Sequence, residues 1–230
     1  MIASKRSAVC PGIRSQLLEG FSPADRKTVL AAAAMRRFPA NSVIANQGHS
    51  ADHLYLLTKG RARNVFVTED GKKLLLLWPG PGDVFGVRAI LSSRSSYLLS
   101  TEMAKDSSVL EWDRKTIRGL VGRYPRLLEN ALSTAADFVA WYVATHVALT
   151  SHTARQRLAQ VLFCLARSIG EKVPGGIELD VTNEDLASAA NVTTFTVCRL
   201  MSEWRRTSRL VKRRGKVVLR SPEQLLVHLA

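Results

Sequence analysis

Apolar and polar positions alternate in different ways along successive stretches of this 230-residue chain. Residues 23–35, PADRKTVLAAAAM, predict a short helix with Ser22 as N-cap and Pro23 in its first turn, where a missing N–H costs nothing. From Phe38 the apolar residues come in short runs bounded by Gly, Pro and Asn: SVIANQG, HLYLLTKG, ARNVFVTEDG, KKLLLLWPGPGD, VFGV and SVLEW. Short runs at near-regular spacing predict the strands of an antiparallel barrel or jelly roll. Glu69-Asp70-Gly71 falls between two of them, and Asp-Gly supplies the positive φ angles of a tight hairpin turn.

From Asp113 the pattern becomes helical. Pro125 stands where a helix can begin, and LLENALSTAADFVAWYVATHVAL follows without Gly or Pro. Leu128, Leu132, Ala135, Val139, Tyr142, His146 and Leu149 recur at alternating steps of four and three, the seam of two supercoiled helices. A neighbouring stripe, Leu127, Ala131, Phe138 and Trp141, is also apolar. Two apolar faces need two partners, and the natural pair is the chain's own barrel and a second copy of the helix. The alternative is burial of both faces inside one subunit. Thr150 and Ser151 interrupt the stripe and predict the cap of a further helix, HTARQRLAQVLFCLARSIG, ended by Gly170. After the Pro174-Gly175-Gly176 loop, IELDVT reads as a short strand.

Residues 182–206 are helical again, in two pieces. Thr182 caps the first, with Asp185 completing a near capping box, and Leu186, Ala189 and Ala190 are expected on its buried side. Asn191-Val192-Thr193 is a three-residue turn in which Asn191 takes the left-handed conformation usually given to Gly. Thr193 caps the second helix, TFTVCRLMSEWRR, with Val197, Leu200 and Met201 inward and Thr194, Phe195, Thr196 and Arg199 outward. LVKRRGKVVL closes the chain as a hairpin turning near Arg214-Gly215. Together these form a helix-turn-helix with a wing. The fold class is therefore α+β: an N-terminal antiparallel barrel or jelly roll, a long dimerisation helix, and a C-terminal winged helix-turn-helix. The expected limits are 1–20 for an N-terminal tail, 21–113 for the barrel, 114–150 for the dimer helix and 151–230 for the winged domain.

Charge sharpens this picture. The net charge is +14, with +5 in residues 1–37, zero in 38–113, +3 in 114–150 and +6 in 151–230. Nine basic residues lie between Arg199 and Arg220 against one acid, Glu203. A neutral barrel between basic ends, with the densest charge on a folded reading head, points to double-stranded DNA rather than a membrane surface. In such a head Arg199 is the candidate for a bidentate contact to guanine O6 and N7. Thr194, Thr196, Arg213, Arg214 and Lys216 are candidates for phosphate contacts, with Thr182, Thr193, Arg205 and Lys212 beside them. Phe195 either packs on a thymine methyl or is simply an exposed aromatic.

Other classes find less support. No apolar run approaches the ~20 residues of a membrane span, and the N-terminus has no apolar core of a signal peptide. Cys10, Cys164 and Cys198 are too few and too scattered for a disulfide framework or a four-cysteine metal site, and they suit a reducing cytoplasm. The barrel has no His-Glu-x-x-His pair, Gly-x-Ser-x-Gly elbow or phosphate-binding Gly loop, so an enzyme is not expected. His49 and His53 are four apart with no third ligand nearby, and neither a metal nor a cofactor is expected.

From about Leu17 onward the chain resembles the Crp/Fnr family of bacterial transcription regulators. FPANSVIANQG, ADHLYLLTKGRA, EDGKKLLLLWPGPGDVFG, the long helix and VTNEDLASAANVTTFTVCRLMSEW follow the family's order. The resemblance implies a homodimer with a cyclic-nucleotide-binding-like barrel, a pseudo-palindromic operator, RNA polymerase as a partner, and an unidentified small-molecule effector. The effector pocket would involve Phe85, Gly86, Val87, Arg88, Tyr97, Leu98 and Tyr142. Yet the family's ribose-holding Glu after Phe-Gly is Val87 here, its phosphate-clasping Arg-Ser/Thr pair is Tyr97-Leu98, and its adenine-contacting hydroxyls align with Tyr142 and Val143. Without those anchors a cyclic phosphate would be buried unpaired, so cyclic AMP is not the expected effector. An iron–sulfur cluster lacks its cysteines, and His49, His53 and His146 read as surface or interface residues rather than haem ligands. In the recognition helix the family's Arg-Glu-Thr-Val is Thr194-Phe195-Thr196-Val197, with Arg199 kept, so a different half-site is expected. Two other readings remain: a regulator with no small ligand, and a ligand-binding module whose basic tail binds DNA without sequence preference.

Overall fold

The computed structural model describes residues 15–213 and 215–225. Residues 1–14, with Cys10 and most of the expected tail, lie outside the described residues, as does Arg214. The chain divides into two compact units, one comprising the residues up to Lys73 with Pro79–Val139, the other Leu74–Trp78 with everything from Ala140 onward.

After a 3-10 turn (Gln16–Leu18), the first unit continues with α1 (Pro23–Ala31), capped as expected by Ser22, whose hydroxyl accepts from the Asp25 N–H. The helix stops short of residue 35. Ala34–Phe38 is instead strand β1, which pairs antiparallel with β8 from Ala34↔Glu111 to Phe38↔Ser107. A ladder of long-range hydrogen bonds there overrides the helix propensity of the alanine run. In chain order there follow β2 (Val43–Ala45), β3 (His53–Lys59), β4 (Ala62–Val67), β5 (Lys73–Leu77, all but its first residue in the second unit), β6 (Val84–Phe85), β7 (Ser100–Met103) and β8 (Ser107–Asp113). One sheet has the order β1-β8-β3-β6, and a second sets β2, β7 and β4 side by side. The turn after β4 is the expected hairpin: Thr68 donates to the Lys72 carbonyl at 3.0 Å and Gly71 has φ +80°.

The β3 run HLYLL looked continuous because both of its faces are buried. Tyr55 and Leu57 join Val109, Phe85, Ala45, Ala62 and Met103 in a core shared by the two sheets. Leu54 and Leu56, with Leu110 and Trp112 of β8, point the other way, into a cluster with Val29, Leu30, Ile117, Leu127 and Ala131. The Trp112 indole donates to the Val29 carbonyl at 2.9 Å and satisfies its one polar group there. Asp113 caps α2 (Arg114–Arg123), and after Tyr124-Pro125 comes α3 (Arg126–Ser151).

The second unit is built on α4 (Ala154–Ser168). Its cap is Thr153, in a full capping box with Gln156, not Thr150 or Ser151. Those two hydroxyls bond back to carbonyls of His146 and Val147 in α3, so they continue that helix instead of starting the next. Next come β9 (Glu171–Val173), β10 (Gly176–Leu179), α5 (Asn183–Ala190), α6 (Thr194–Arg206), β11 (Leu210–Arg213) and β12 (Lys216–Leu219). The wing is thus a four-stranded sheet, β11-β12-β10-β9, larger than the hairpin expected. Gly176 has φ +146°, and a Cβ there would lie 2.1 Å from the Leu219 carbonyl oxygen, so the close pairing of β10 with β12 requires glycine. Leu158, Leu162, Leu179, Leu186, Val197, Leu200, Trp204 and Leu219 form the core, and Trp78 packs against it. The buried side of α5 carries Leu186, Ala187 and Ala190, whereas Ala189 is only half-buried.

Candidate nucleic-acid interface

Local rules build the reading head. The Thr182 hydroxyl accepts from the Asp185 N–H at 3.0 Å, and the Asp185 carboxylate accepts from the Thr182 N–H at 3.2 Å. Asn191 takes the left-handed conformation, φ 48° and ψ 57°, at the turn. Thr193 caps α6 by accepting from the Thr196 N–H, and the hydroxyls of Thr193 and Thr196 lie 3.0 Å apart. Val197, Leu200, Met201 and Trp204 are buried, which turns Thr194, Phe195, Cys198 and Arg199 to solvent. Phe195 is 77% exposed, more than any other large apolar residue among those described. Thr196, expected outward, is half-buried and engaged with Thr193.

The turn has a further support that pattern-reading missed. Arg157 of α4 donates from Nε to the Ala190 carbonyl (2.9 Å), from Nη2 to that of Asn191 (3.2 Å) and from Nη1 to that of His152 (2.8 Å). One guanidinium fork thereby satisfies carbonyls at the end of α5 that the helix leaves unpaired. A second missed group is Glu203. Its Oε1 accepts from Arg199 Nη1 at 2.8 Å, and its Oε2 is paired with Arg155 of α4. The Arg155 hydrogen bond, followed by the two guanidinium charges, holds the Glu203 carboxyl below the usual range. Nothing local in the sequence joins Arg155 or Arg157 to residues thirty to fifty positions away.

On the wing, Lys212 and Arg213 are exposed, as is Arg205 at the end of α6. Lys216 is bonded to Glu178 of β10, which raises its pKa and engages its ammonium within the sheet. Thr193, Thr194, Phe195, Thr196, Arg199, Arg205, Lys212, Arg213 and Lys216 therefore lie on the α5–α6 turn, α6 or the β11–β12 hairpin of one unit, and Thr182 caps the far end of α5 in the same unit.

Of the residues expected around an effector, Phe85, Gly86 and Tyr97 lie together, whereas Leu98 turns to solvent. Phe85 stacks on Tyr55 with ring centroids 5.1 Å apart, and Tyr97 is buried in the same core. The Tyr97 hydroxyl accepts from the His53 N–H at 3.0 Å and donates to the His53 carbonyl at 3.1 Å. Burial pushes the phenols of Tyr55 and Tyr97 up. Gly86 has φ +75°, and a Cβ there would meet the His53 carbonyl oxygen at 2.5 Å. Val87 and Arg88 lie in a 3-10 turn, Val87–Ile90, and the Arg88 carbonyl accepts from the Ser95 hydroxyl. Arg114 reaches across from α2 and donates to the carbonyls of Ala89, Leu91, Ser92 and Ser93. Leu98, expected to line the pocket, is 60% exposed, in the bend that follows the inward-turned Tyr97. Among the described residues no group of three or more His, Cys, Asp or Glu could hold a metal ion.

On α3, Leu127 and Ala131 are buried while Leu128, Leu132, Ala135, Val139, Tyr142, His146 and Leu149 are all exposed in the single chain. Val143 and Val147, also exposed, widen this apolar strip. Among the described residues no helix is long and apolar enough to cross a membrane.

Comparison with known proteins matches both units. Residues 35–124 fit the family model described as a cyclic nucleotide-binding domain, and residues 156–227 fit the Crp-like helix-turn-helix domain. The chain is 24% identical to an anaerobic regulatory protein of Bacillus subtilis, over 83% of its own length and 81% of that protein's. It is also 24% identical to a CRP-like cAMP-activated global transcriptional regulator of Mycobacterium tuberculosis, covering 84% of this chain and 86% of the other. Among solved structures, FixK2 from Bradyrhizobium japonicum superposes with a TM-score of 0.73 at 22% identity, over 84% of this chain and 95% of that one.

Proposed function

The chain belongs to the Crp/Fnr family of transcription regulators, and from that membership we propose that it is a sequence-specific, homodimeric regulator acting on a pseudo-palindromic operator. The observation that carries this reading is the exposed face of α6, where Thr194, Phe195 and Arg199 stand clear of a buried inner face, beside the exposed Lys212 and Arg213 of the wing. Arg199 is assigned to a guanine, Phe195 to a thymine methyl, and Thr194, Arg205, Lys212 and Arg213 to phosphates that fix register without reading sequence. The exposed seam of α3 is assigned to a second copy, which would place two reading helices about one turn of DNA apart. RNA polymerase is the partner through which such a protein acts on transcription in the cytoplasm, and no catalytic step is assigned to it.

Mobility shifts on the promoter region of the protein's own gene test this. The wild type is expected to prefer that fragment over a scrambled duplex and Arg199→Ala to lose the preference; equal binding of both proteins to random DNA overturns the reading.

Tyr97 favours a second statement, that the barrel does not take cyclic AMP and works without a small-molecule effector. The phenol ring fills the shared core from the position where a phosphate-clasping cation would be needed, and its hydroxyl is spent on His53. Native mass spectrometry of the dimer purified from its own source is expected to show the mass of two chains and nothing more. A co-purifying small molecule overturns it.

A further inference from the structure

Glu203 is the only acid between Arg199 and Arg220, and it sits where helix electrostatics disfavour it. It lies in the last turn of α6, next to the negative end of the helix dipole. It also follows Arg199 at i+4, the weaker orientation for an ion pair along a helix. Stabilisation of α6 does not account for it.

What Glu203 does have is two fixed partners. Arg155, in the first turn of α4, holds Oε2, while Oε1 takes Nη1 of Arg199 at 2.8 Å. Arg206 and Arg209 line the same open hollow with Trp204 and Thr207. An ordinary surface pair would let the carboxylate follow the arginine wherever it swings. Here the carboxylate is anchored from another helix, so Arg199 is the member that is constrained. A guanidinium has five N–H donors in a rigid fork; tying Nη1 to Glu203 sets the plane of the fork and leaves further donors for a base edge.

We propose that Glu203 is a positioning residue for Arg199, holding its guanidinium for base reading and discouraging its collapse onto phosphate. The inference rests on the DNA-reading role proposed above. A carboxylate beside Arg199 lowers the local attraction for any phosphate, so it weakens sequence-independent binding while orienting the sequence-dependent contact. Arg155 is then a support for the reader although it need not touch DNA.

The test uses the full-length protein and duplexes enriched by the wild type from a randomised library, with scrambled duplexes as reference. Glu203→Gln keeps the size and an acceptor but removes the charge. It is expected to lower the ratio of specific to non-specific affinity roughly tenfold, toward the low end of what one bidentate base contact discriminates. Non-specific binding should tighten, and its dependence on salt should steepen by about one unit of slope as Arg199 takes up a phosphate. Arg155→Gln is expected to lower the ratio in the same direction. If Glu203 only tied α6 to α4, both variants would lose thermal stability with the ratio unchanged, which overturns the inference. If the wild type enriches no sequence at all, the DNA-reading role falls and this inference with it. Enrichment by the wild type, loss with Arg199→Ala and an unchanged ratio with Glu203→Gln would remove only the positioning role.

Discussion

The hydroxyl of Tyr97 accepts a hydrogen bond from the backbone N–H of His53 and donates one to the carbonyl of the same residue. Both groups belong to the first residue of β3, so a single phenol closes the end of a strand that carries the barrel's main ladder. The ring meanwhile sits among Tyr55, Phe85 and Met103. Tyr97 is thus at once a plug and a latch.

Separating the two roles gives a graded prediction. Tyr97→Phe keeps the ring and should cost about 1–3 kcal/mol from the His53 groups left without this partner. Tyr97→Ala also opens a cavity and should cost about 3–5 kcal/mol in all. Urea unfolding at neutral pH measures both, and equal losses would mean that only the hydroxyl counts and the ring's volume does not.

Asp113 offers a pH test. Hydrogen bonds from the N–H and hydroxyl of Thr116 hold its carboxyl below the usual range. Asp113→Ala is expected to cost about 1 kcal/mol at pH 7, as for other caps. A depressed folded pKa gives a contribution fully present above the ordinary value of about 3.9 and lost as pH falls through the folded value. The gap between wild type and variant should therefore hold from pH 7 to about 5 and narrow below about 4. A gap that persists undiminished at pH 2 would contradict this.

Arg157→Lys should be nearly as damaging as Arg157→Ala, at about 1–3 kcal/mol, because an ammonium cannot span the carbonyls of Ala190, Asn191 and His152 together. Chemical unfolding gives the number. Full rescue by lysine would show that charge alone, not the fork, supports the turn.

The α3 seam predicts a change of mass rather than of fold. Leu132 is 69% and Val139 59% exposed in the single chain, so glutamate at either position leaves the monomer's core intact. Sedimentation of Leu132→Glu with Val139→Glu is expected to give the monomer mass with an unchanged circular dichroism spectrum. A dimer mass would place the contact elsewhere.

The parts legible in the sequence were those with local causes. Thr182, Asn191 and Thr193 announce the helix-turn-helix because caps and left-handed turns depend on a residue and its near neighbours. The heptad of α3 declared its exposed face for the same reason. Where competition between distant partners decides, pattern-reading failed. Ala34 and Met35, expected in α1, became part of β1 because β8 was there to pair with, and β9 formed against β10 from residues for which no strand was expected. The fastenings by Arg114, Arg155 and Arg157 were likewise invisible, since a long polar side chain gives no sign of which carbonyl or carboxylate it will reach. Leu98 and Thr196 were misplaced by smaller margins, Leu98 beside the inward-turned Tyr97 and Thr196 through its contact with the Thr193 hydroxyl.

Tyr97 also constrains the protein's descendants. To admit a charged ligand, a lineage would have to surrender the ring's packing and both bonds to His53, and only afterwards could a cation at that position be repaid by a bound anion. Every first step on such a path loses stability with nothing gained in return, and native proteins hold little in reserve. On the proposed reading the barrel is in this sense a ratchet: a side chain that fills the place of a ligand is far easier to acquire than to give back.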